Sequence, residues 1–564
     1  MTCEEAIYSE NVYDYITDYP IENTGDLSPV FCYAGVGNYN IAYVDKSAAP
    51  DPEKVFFDYP NMPMLYGIVD GEGAPGSYLF DPRSIRETGS LSLQQGSLGL
   101  TGRGVTICFI DTGIDYRNPA FRLPSGETRI AAIWDQSLAG GKKPAGFWYG
   151  TEFTREEINR ALISDTPYEL VPHRDISGHG TALASVAAGS QLLSPVFRGA
   201  APEVDIVAVK LKPAKEYLRS YYLVPDGVMA YQENDIMLAV EYCQKFAVLL
   251  KKPIVICIGL GSNLGSHKGR DFLSEYLNAV AVKRSRGIVI PGGSEGGTAH
   301  HFFGDSREGR SVELNVEENN KGFFLELWGQ LPGLVTLTLT SPGGESLPKI
   351  RLSDNRSVTY GFVFEKTQVT VDSSLVEPGS GDQLIRLRFL NPTRGIWSLR
   401  VEPVGEMGNG YFDLWLPGTT FLNTPVNFLR PNPDTTLTAP GYSENVLTVT
   451  YYDDRNGALA PGAGRGYSRN GSIKPDFAAP GVEVSTVRGP ITGSGVAAAL
   501  TAGAVAQFFQ WAVVDGNNRY VETREIRSYF ILGATRRENQ SYPNREWGYG
   551  RLNLRDVFTI LAGS

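Results

Sequence analysis

The sequence predicts an α/β protein: an open, mostly parallel β-sheet with helices on both faces, preceded by a small α+β domain and interrupted by a β domain. Three observations lead to this prediction. Nearly continuous apolar runs alternate with helix-like stretches, a block of period-two alternation separates two groups of such runs, and residues 1–96 resemble neither. A chain of 564 residues is long enough for roughly two to four domains.

The parallel sheet is predicted from runs in which almost every residue is apolar. Strands buried on both faces of a sheet need such runs, whereas strands with one wet face alternate. Helix-like spacing follows several of the runs, and this strand–helix alternation indicates helices on both faces. The runs cover residues 105–110, 204–209, 253–258 and 287–290.

A different pattern marks residues 311–420. Val312, Leu314 and Val316 alternate with polar residues, and the same period of two recurs further along this stretch. Period-two alternation between Gly, Pro and Asn is typical of half-buried antiparallel strands. We therefore expect a β-sandwich or jelly roll inserted between two parts of the α/β domain, residues 97–310 and 421–564.

Residues 1–96 are aromatic-rich and acidic, and residues 11–16 suggest a short helix. The chain has five cysteines, an odd number without clustering, so we expect no disulfide framework and folding in a reducing compartment. Cys108 and Cys257 lie in apolar runs and are expected to be buried thiols. The acidic N-terminus lacks the apolar core of a standard secretory signal, which predicts synthesis in the cytoplasm without such a signal.

The charge balance limits the partners. A net charge of −11 without long runs of Lys or Arg argues against nucleic acid and anionic membranes. We find no stretch of about 18 apolar residues and expect no membrane span. The spacing of Cys and His residues predicts no metal site and no cofactor. A structural cation held by backbone carbonyls would leave little trace and stays open.

Asp111 and His179 are candidate members of a catalytic site. Asp111 ends the 105–110 run, where a carboxylate would face the crevice in which open α/β sheets bind ligands. The alternative is a turn aspartate that stabilises its own loop. His179 lies in a glycine-flanked bend before a helix of small residues, where a base could project into a cleft. It could equally form local hydrogen bonds at a helix start.

Together with residues 491–499, Ile-Thr-Gly-Ser-Gly-Val-Ala-Ala-Ala, these two motifs resemble the Asp…His…Ser order of the subtilase family of serine proteases. Residues 291–296 resemble the turn that carries the family's oxyanion asparagine, and residues 474–481 the segment before the nucleophile. Residues 259–263 resemble the strand that pairs with bound peptide. The resemblance implies a subtilisin-like fold and substrate-binding roles for Gly259, Leu260, Gly261 and Asn263.

Two departures from the family pattern bear on activity. Gly495 occupies the position of the nucleophilic serine, and Ser294 that of the oxyanion asparagine. Ser494 cannot substitute, because one residue along a helix turns the side chain by about 100°, and we expect it to cap the helix instead. The short hydroxyl of Ser294 is expected to fall outside an oxyanion donor's reach. An engineered replacement of the serine is the alternative, but it would not require the changes at Ser294 and Gly259.

Within the family, three features resemble the clostridial germination-type subtilases: the N-terminal segment, the β insert, and residues 541–550. That resemblance implies a propeptide-like first domain, a jelly-roll insert and a place in the spore cortex or coat. Active members of that group cleave the proenzyme of a cortex hydrolase, and inactive members relay germinant signals such as bile salts. The implied partners are an active subtilase or its proenzyme substrate, and a small-molecule germinant.

The same resemblance places the propeptide junction at Leu93, Gln94, Gln95 and Gly96. Without a nucleophile we expect the first domain to stay attached, with residues 91–95 lying in the cleft as a tethered ligand. The leading hypothesis is a pseudoprotease with a regulatory or signal-relay role. The alternatives are an active endopeptidase that processes a protein precursor, and a structural spore-layer protein that uses the β insert for contacts.

Overall fold

The computed structural model describes residues 1–18, 30–49, 51–52, 61–71, 79–194, 196–350, 356–405 and 408–563. Its central feature is a nine-stranded sheet, parallel except at the two pairs Ile130–Asp135/Thr151–Thr154 and Leu447–Asp453/Ala458–Leu459. The predicted subtilisin-like α/β sheet is therefore confirmed. Its strands, in spatial order, are Ala458–Leu459, Leu447–Asp453, Arg286–Pro291, Ile254–Ile258, Thr106–Asp111, Asp205–Lys210, Ile130–Asp135 and Thr151–Thr154, with Phe477–Pro480 also paired to Leu447–Asp453.

Each face of the sheet has its own apolar core, because successive residues of a strand point to opposite faces. Cys108 and Ile110 pack with the helices Glu233–Leu250 and Phe272–Ala281. Ile107 and Phe109 pack on the other side with the helices His179–Ala188 and Ser494–Phe509. The remaining α-helices of this domain are Arg155–Leu162, Pro167–Leu170, Glu216–Tyr221, Thr523–Leu532 and Leu554–Gly563.

The helix Ser494–Phe509, here called the central helix, is buried along its whole length. Within the described residues, 494–514 is a helical stretch long and apolar enough to cross a membrane, contrary to the expectation that no such stretch exists. However, 89% of its most apolar window is buried inside the protein, as in the core helix of a globular domain.

Two antiparallel sheets enclose a separate core within the predicted insert. Their strands run from His301 to Phe428, beyond the expected limits of 311 and 420 on both sides. A jelly-roll topology stays a prediction. One sheet contains His301–Asp305, Tyr411–Trp415, Gly322–Gly329, Gln383–Leu390, Gln368–Ser374 and Arg356–Gly361, and the other Leu334–Thr340, Gly395–Val404, Arg310–Val316 and Val426–Phe428.

The N-terminal residues form a helix, Cys3–Tyr8, against a three-stranded antiparallel sheet of Val12–Thr17, Tyr39–Asp45 and Val30–Val36. The expected helix at residues 11–16 is wrong: Val12–Thr17 form a fully buried strand, stabilised by an ion pair of 2.6 Å between Asp14 and Lys215. A disulfide joins Cys3 to Cys32, so the expectation of no disulfide also fails. Helix packing against the sheet brings the two cysteines together, which their spacing along the chain could not show.

The other three cysteines, Cys108, Cys243 and Cys257, are buried thiols, which confirms the expectation for Cys108 and Cys257.

Candidate active site

Asp111 and His179 meet at the carboxyl end of the sheet. Asp111 is the last residue of its strand, and His179 is the first residue of the helix His179–Ala188. The helix begins where Gly178, with φ of +78°, turns the chain sharply. Nδ1 of His179 lies 2.8 Å from Oδ1 of Asp111, and both side chains are buried. The carboxylate thus orients the imidazole and fixes the proton on Nδ1, as a general base requires.

Two carboxylates act on the imidazole of His179. Burial alone lowers the pKa of His179, but the carboxylates of Asp111 and Asp70 outweigh this effect and raise the pKa well above its ordinary value. A protonated imidazole has no free lone pair on Nε2 and cannot take a proton from a nucleophile. The two carboxylates thus favour the charged imidazole, the form that cannot act as a base.

The position of the family nucleophile carries no side chain. Gly495 is the second residue of the central helix, and position 493 before the helix is also glycine. Ser494 does not cap the helix, contrary to expectation: its hydroxyl is buried and has no hydrogen-bond partner among the described residues. The first amides of this helix instead donate to a carboxylate from the N-terminal part of the chain, that of Asp70.

That part of the chain lies along the strand predicted to bind peptide. Residues 61–71, here called the cleft segment, include the strand Leu65–Ile68. This strand pairs in antiparallel fashion with Tyr231–Gln232 on one side and with Leu260–Gly261 on the other. The strand predicted to bind peptide therefore does pair with a polypeptide, with Leu260 opposite Ile68 and Gly261 opposite Gly67.

The predicted junction residues Leu93, Gln94, Gln95 and Gly96 lie elsewhere, which corrects the expectation for residues 91–95. They belong to, or directly follow, the helix Ser90–Gln95. Their backbone is helical rather than extended, so in this conformation they cannot add a strand to the cleft. The Gln94 side chain instead donates hydrogen bonds to the carbonyls of Gly199 and Ala200, at 3.1 and 2.6 Å.

The end of the cleft segment lies at the centre of the site. Oγ of Ser294 donates a hydrogen bond of 2.5 Å to the carbonyl of Val69, so the hydroxyl reaches the cleft segment. That it falls outside the reach of an oxyanion stays a prediction. The next residue, Asp70, accepts hydrogen bonds from the N–H groups of Gly495 and Val496, at 2.6 and 2.9 Å. Its Oδ2 also lies 3.4 Å from Nε2 of His179.

Two further predicted residues have different surroundings. A Cβ atom on Gly259 would lie 2.0 Å from Oδ2 of Asp111, so this glycine leaves room for the carboxylate. Asn263 does not contact the cleft segment through its amide group. Its Nδ2 donates to the carbonyl of Leu416 at 2.8 Å, which ties the strand to the end of the β insert. The substrate-binding role of Asn263 stays a prediction.

Sequence reasoning missed the residues that hold the cleft segment. Glu233, fully buried, accepts hydrogen bonds from the N–H groups of Met64 and Leu273 at 3.0 and 2.9 Å. Burial first, and the nearby Asp271 second, raise the pKa of Glu233 to about 8. Local sequence gives no sign of Glu233, whereas Asp70 follows an apolar run and precedes a glycine, a pattern that resembles an ordinary turn.

Over the described residues, no group of three or more His, Cys, Asp or Glu side chains is arranged to hold a metal ion.

The fold and this arrangement define a subtilisin-like protein, and the chain belongs to the subtilase family, whose sequence pattern matches residues 102–295 and 408–550. The structure of the Clostridium perfringens CspB protease is similar, with a TM-score of 0.76 and 29% identity, over 86% of this chain and 98% of that one.

Two curated relatives from Arabidopsis thaliana are more distant. Subtilisin-like protease SBT3.5 is 22% identical over 72% of this chain and 56% of its own length. Subtilisin-like protease SBT2.2 is 29% identical over 19% of this chain and 13% of its own length. The chain thus spans little more than half of SBT3.5 and a small part of SBT2.2.

Proposed function

We propose that this subtilase is catalytically inactive, that it keeps its own cleft segment as a permanent ligand, and that it acts as a regulatory protein. One observation carries the proposal. At the place where the family has a serine hydroxyl beside the histidine, this chain has Gly495 and the carboxylate of Asp70. No hydroxyl among the described residues forms a hydrogen bond with Nε2 of His179.

The chemistry of acyl transfer supports inactivity. In subtilisin, the namesake of the family, loss of the nucleophile costs a factor of about 2 × 10⁶ in rate. Ser294 supplies a hydrogen-bond donor to the carbonyl of Val69, but a donor without an attacking atom stabilises no tetrahedral intermediate. The raised pKa of His179 also disfavours the neutral imidazole that a general base requires.

The fit between Gly495 and Asp70 argues against an engineered loss of serine. A Cβ atom at position 495 would lie 2.5 Å from Oδ2 of Asp70, closer than real contacts permit. A serine at this position would therefore displace the Asp70 carboxylate from its present place. A naturally inactive chain accounts for both residues together, whereas a single laboratory substitution accounts for only one.

A fluorophosphonate probe tests inactivity, because it reacts with activated serines. We expect no labelling of the wild-type chain. The matched positive control is Gly495→Ser combined with Asp70→Ala, which supplies the hydroxyl and removes the obstructing carboxylate. Labelling of any cleft serine in the wild-type chain would overturn the proposal.

An active endopeptidase that processes a precursor is the second candidate. The 2.8 Å contact between His179 and Asp111 favours it, since that part of the machinery has the geometry of a working base. It would require an unconventional nucleophile, and Ser494 is the nearest serine in the chain. Because labelling at Ser494 is a specific outcome, mapping the labelled peptide separates this candidate from the first.

The regulatory setting follows from the resemblance to the germination-type subtilases. With the cleft filled by a covalently attached segment, a free peptide competes against a high effective concentration. We therefore propose that partners, an active subtilase or its proenzyme substrate, bind outside the cleft, and that a small-molecule germinant provides the signal. Co-purification from spores tests this: the chain is isolated with its bound proteins, which are then identified. Recovery of neither the subtilase nor its proenzyme would contradict the proposal.

A further inference from the structure

The place of the missing nucleophile is shaped to receive a carboxylate. The side chain of Asp70 has no exposed surface, and its two oxygens accept hydrogen bonds from separate amides of the central helix. Two glycines create the space. A Cβ atom would lie 2.1 Å from Oδ1 of Asp70 if placed on Gly493, and 2.5 Å from Oδ2 if placed on Gly495.

The charges around this space favour an anion. The central helix has 16 residues, and the amides at its N-terminus carry partial positive charge toward the carboxylate. His179 adds an independent contribution: its Nε2 is buried, has no hydrogen-bond partner among the described residues, and lies 3.4 Å from Oδ2 of Asp70. A side chain without an acceptor would leave Nε2 of His179 and the first amides of the central helix without a partner in a buried site.

The backbone of the cleft segment delivers the carboxylate to this space. Val69 is held through its carbonyl by Ser294, and Gly71 donates its N–H to the carbonyl of Thr492 at 2.9 Å. Asp70 itself pairs with Gly493 as an isolated antiparallel bridge. These contacts fix residue 70 on both sides, so only the side chain at this position can enter the space.

We propose that the former nucleophile position is a carboxylate-binding site, and that its ligand class is an extended polypeptide segment with an aspartate directly after the residue whose carbonyl contacts Ser294. The resident ligand is the chain's own Asp70. The inference deepens the proposed function and rests on it, because a serine at 495 would occupy the same space. It adds a selection rule: the cleft accepts a segment with aspartate at this position and disfavours one with a neutral residue.

Chemical rescue tests the site directly. In full-length Asp70→Ala, the cavity should bind formate, which has the size and charge of the missing carboxylate. We expect formate to raise the melting temperature in a saturable way, beyond the effect of sodium chloride at equal ionic strength. Wild type should show no such rise. Neither should Asp45→Ala, which removes an aspartate that caps a short turn, with 2.8 Å between Ser47 N and Oδ1 of Asp45. Equal effects of formate and chloride on Asp70→Ala would overturn the inference.

A second variant keeps the inference testable if Asp70→Ala does not fold. Asp70→Asn retains the shape and loses the charge, so the pKa of His179, followed by NMR of labelled histidine, should fall by about one to three units. An unchanged His179 pKa would contradict the inference. Neither readout depends on catalysis. Fluorophosphonate labelling of the wild type would therefore overturn the proposed function alone. A melting temperature of Asp70→Ala that formate does not raise beyond the effect of chloride would overturn the carboxylate site alone.

Discussion

Replacing Gly495 by alanine should loosen the cleft, and the loss should depend on Asp70. The added Cβ would lie 2.5 Å from Oδ2 of Asp70, so the carboxylate must shift away from the amides of Gly495 and Val496. Overpacking of this kind costs about 1–3 kcal/mol, and weakening of the helix cap adds about 1 kcal/mol. Alanine in a helix returns about 0.5–1 kcal/mol relative to glycine. The net expectation is a loss of about 1–3 kcal/mol.

Hydrogen exchange is the suitable assay, because it measures local opening in a chain too large for simple two-state unfolding. A loss of about 2 kcal/mol corresponds to roughly 30-fold faster exchange. We expect this acceleration in peptides from residues 61–71 and from the start of the central helix. In the Asp70→Ala background, the obstructing atoms are absent, so Gly495→Ala should slow exchange slightly rather than accelerate it.

Gly503→Ala is the matched control. This residue lies on the same helix. Its added Cβ would lie 2.5 Å from the Cβ of Ala200, and Asp70 is not among its nearest neighbours. Its effect should be equal in the wild-type and Asp70→Ala backgrounds, because the two sites share no partner. If Gly495→Ala had the same effect in both backgrounds, the claimed fit between Gly495 and Asp70 would be refuted.

Three further predictions concern the cleft, its pH dependence and the disulfide. The double variant Gly495→Ser, Asp70→Ala should cleave its own chain after Val69. N-terminal sequencing of the fragments should locate the cut at that bond rather than near residue 95. Glu233 keeps its proton up to about pH 8 in the native state but ionises near 4.5 when unfolded, so stability should fall as pH rises between these values. Glu233→Gln should flatten the curve of melting temperature against pH over that interval; an unchanged slope would contradict the assignment. Cys32→Ser removes a cross-link across 29 residues, and should destabilise the first domain by about 3–4 kcal/mol, seen as faster proteolysis there.

The parallel sheet could be predicted from the sequence because burial on both faces leaves a local trace. The run at residues 105–110 corresponds to the strand Thr106–Asp111, and that at 253–258 to Ile254–Ile258. Asp111 and His179 were predictable for a related reason, since each directly follows or begins an element that the local pattern reveals. Their contact at 2.8 Å then depends only on the shared edge of the sheet.

The strand Val12–Thr17 shows why local pattern fails near the N-terminus. Its Val, Tyr, Ile and Thr residues are good strand formers, yet both faces are buried and no alternation appears. The burial of Asp14 depends on Lys215, which lies 2.6 Å away in space but in a distant part of the chain. Such long-range pairs leave no local signal.

The cleft segment could not be recognised for the same reason. Ile68 pairs with Leu260, and Asp70 caps a helix that begins at Ser494. Gly495 alone indicated that the nucleophile was absent, but the sequence could not reveal what fills its place. The assignment of residues 91–95 to the cleft relied on where relatives are cut, but these residues are helical rather than extended.

The mass of the intact, purified chain tests most directly whether the cleft holds an uncleaved segment. After prolonged incubation at neutral pH, we expect a single species near 61.6 kDa without any covalent adduct. A fragment that ends at Val69, or a chain that has gained an acyl group, would contradict the account.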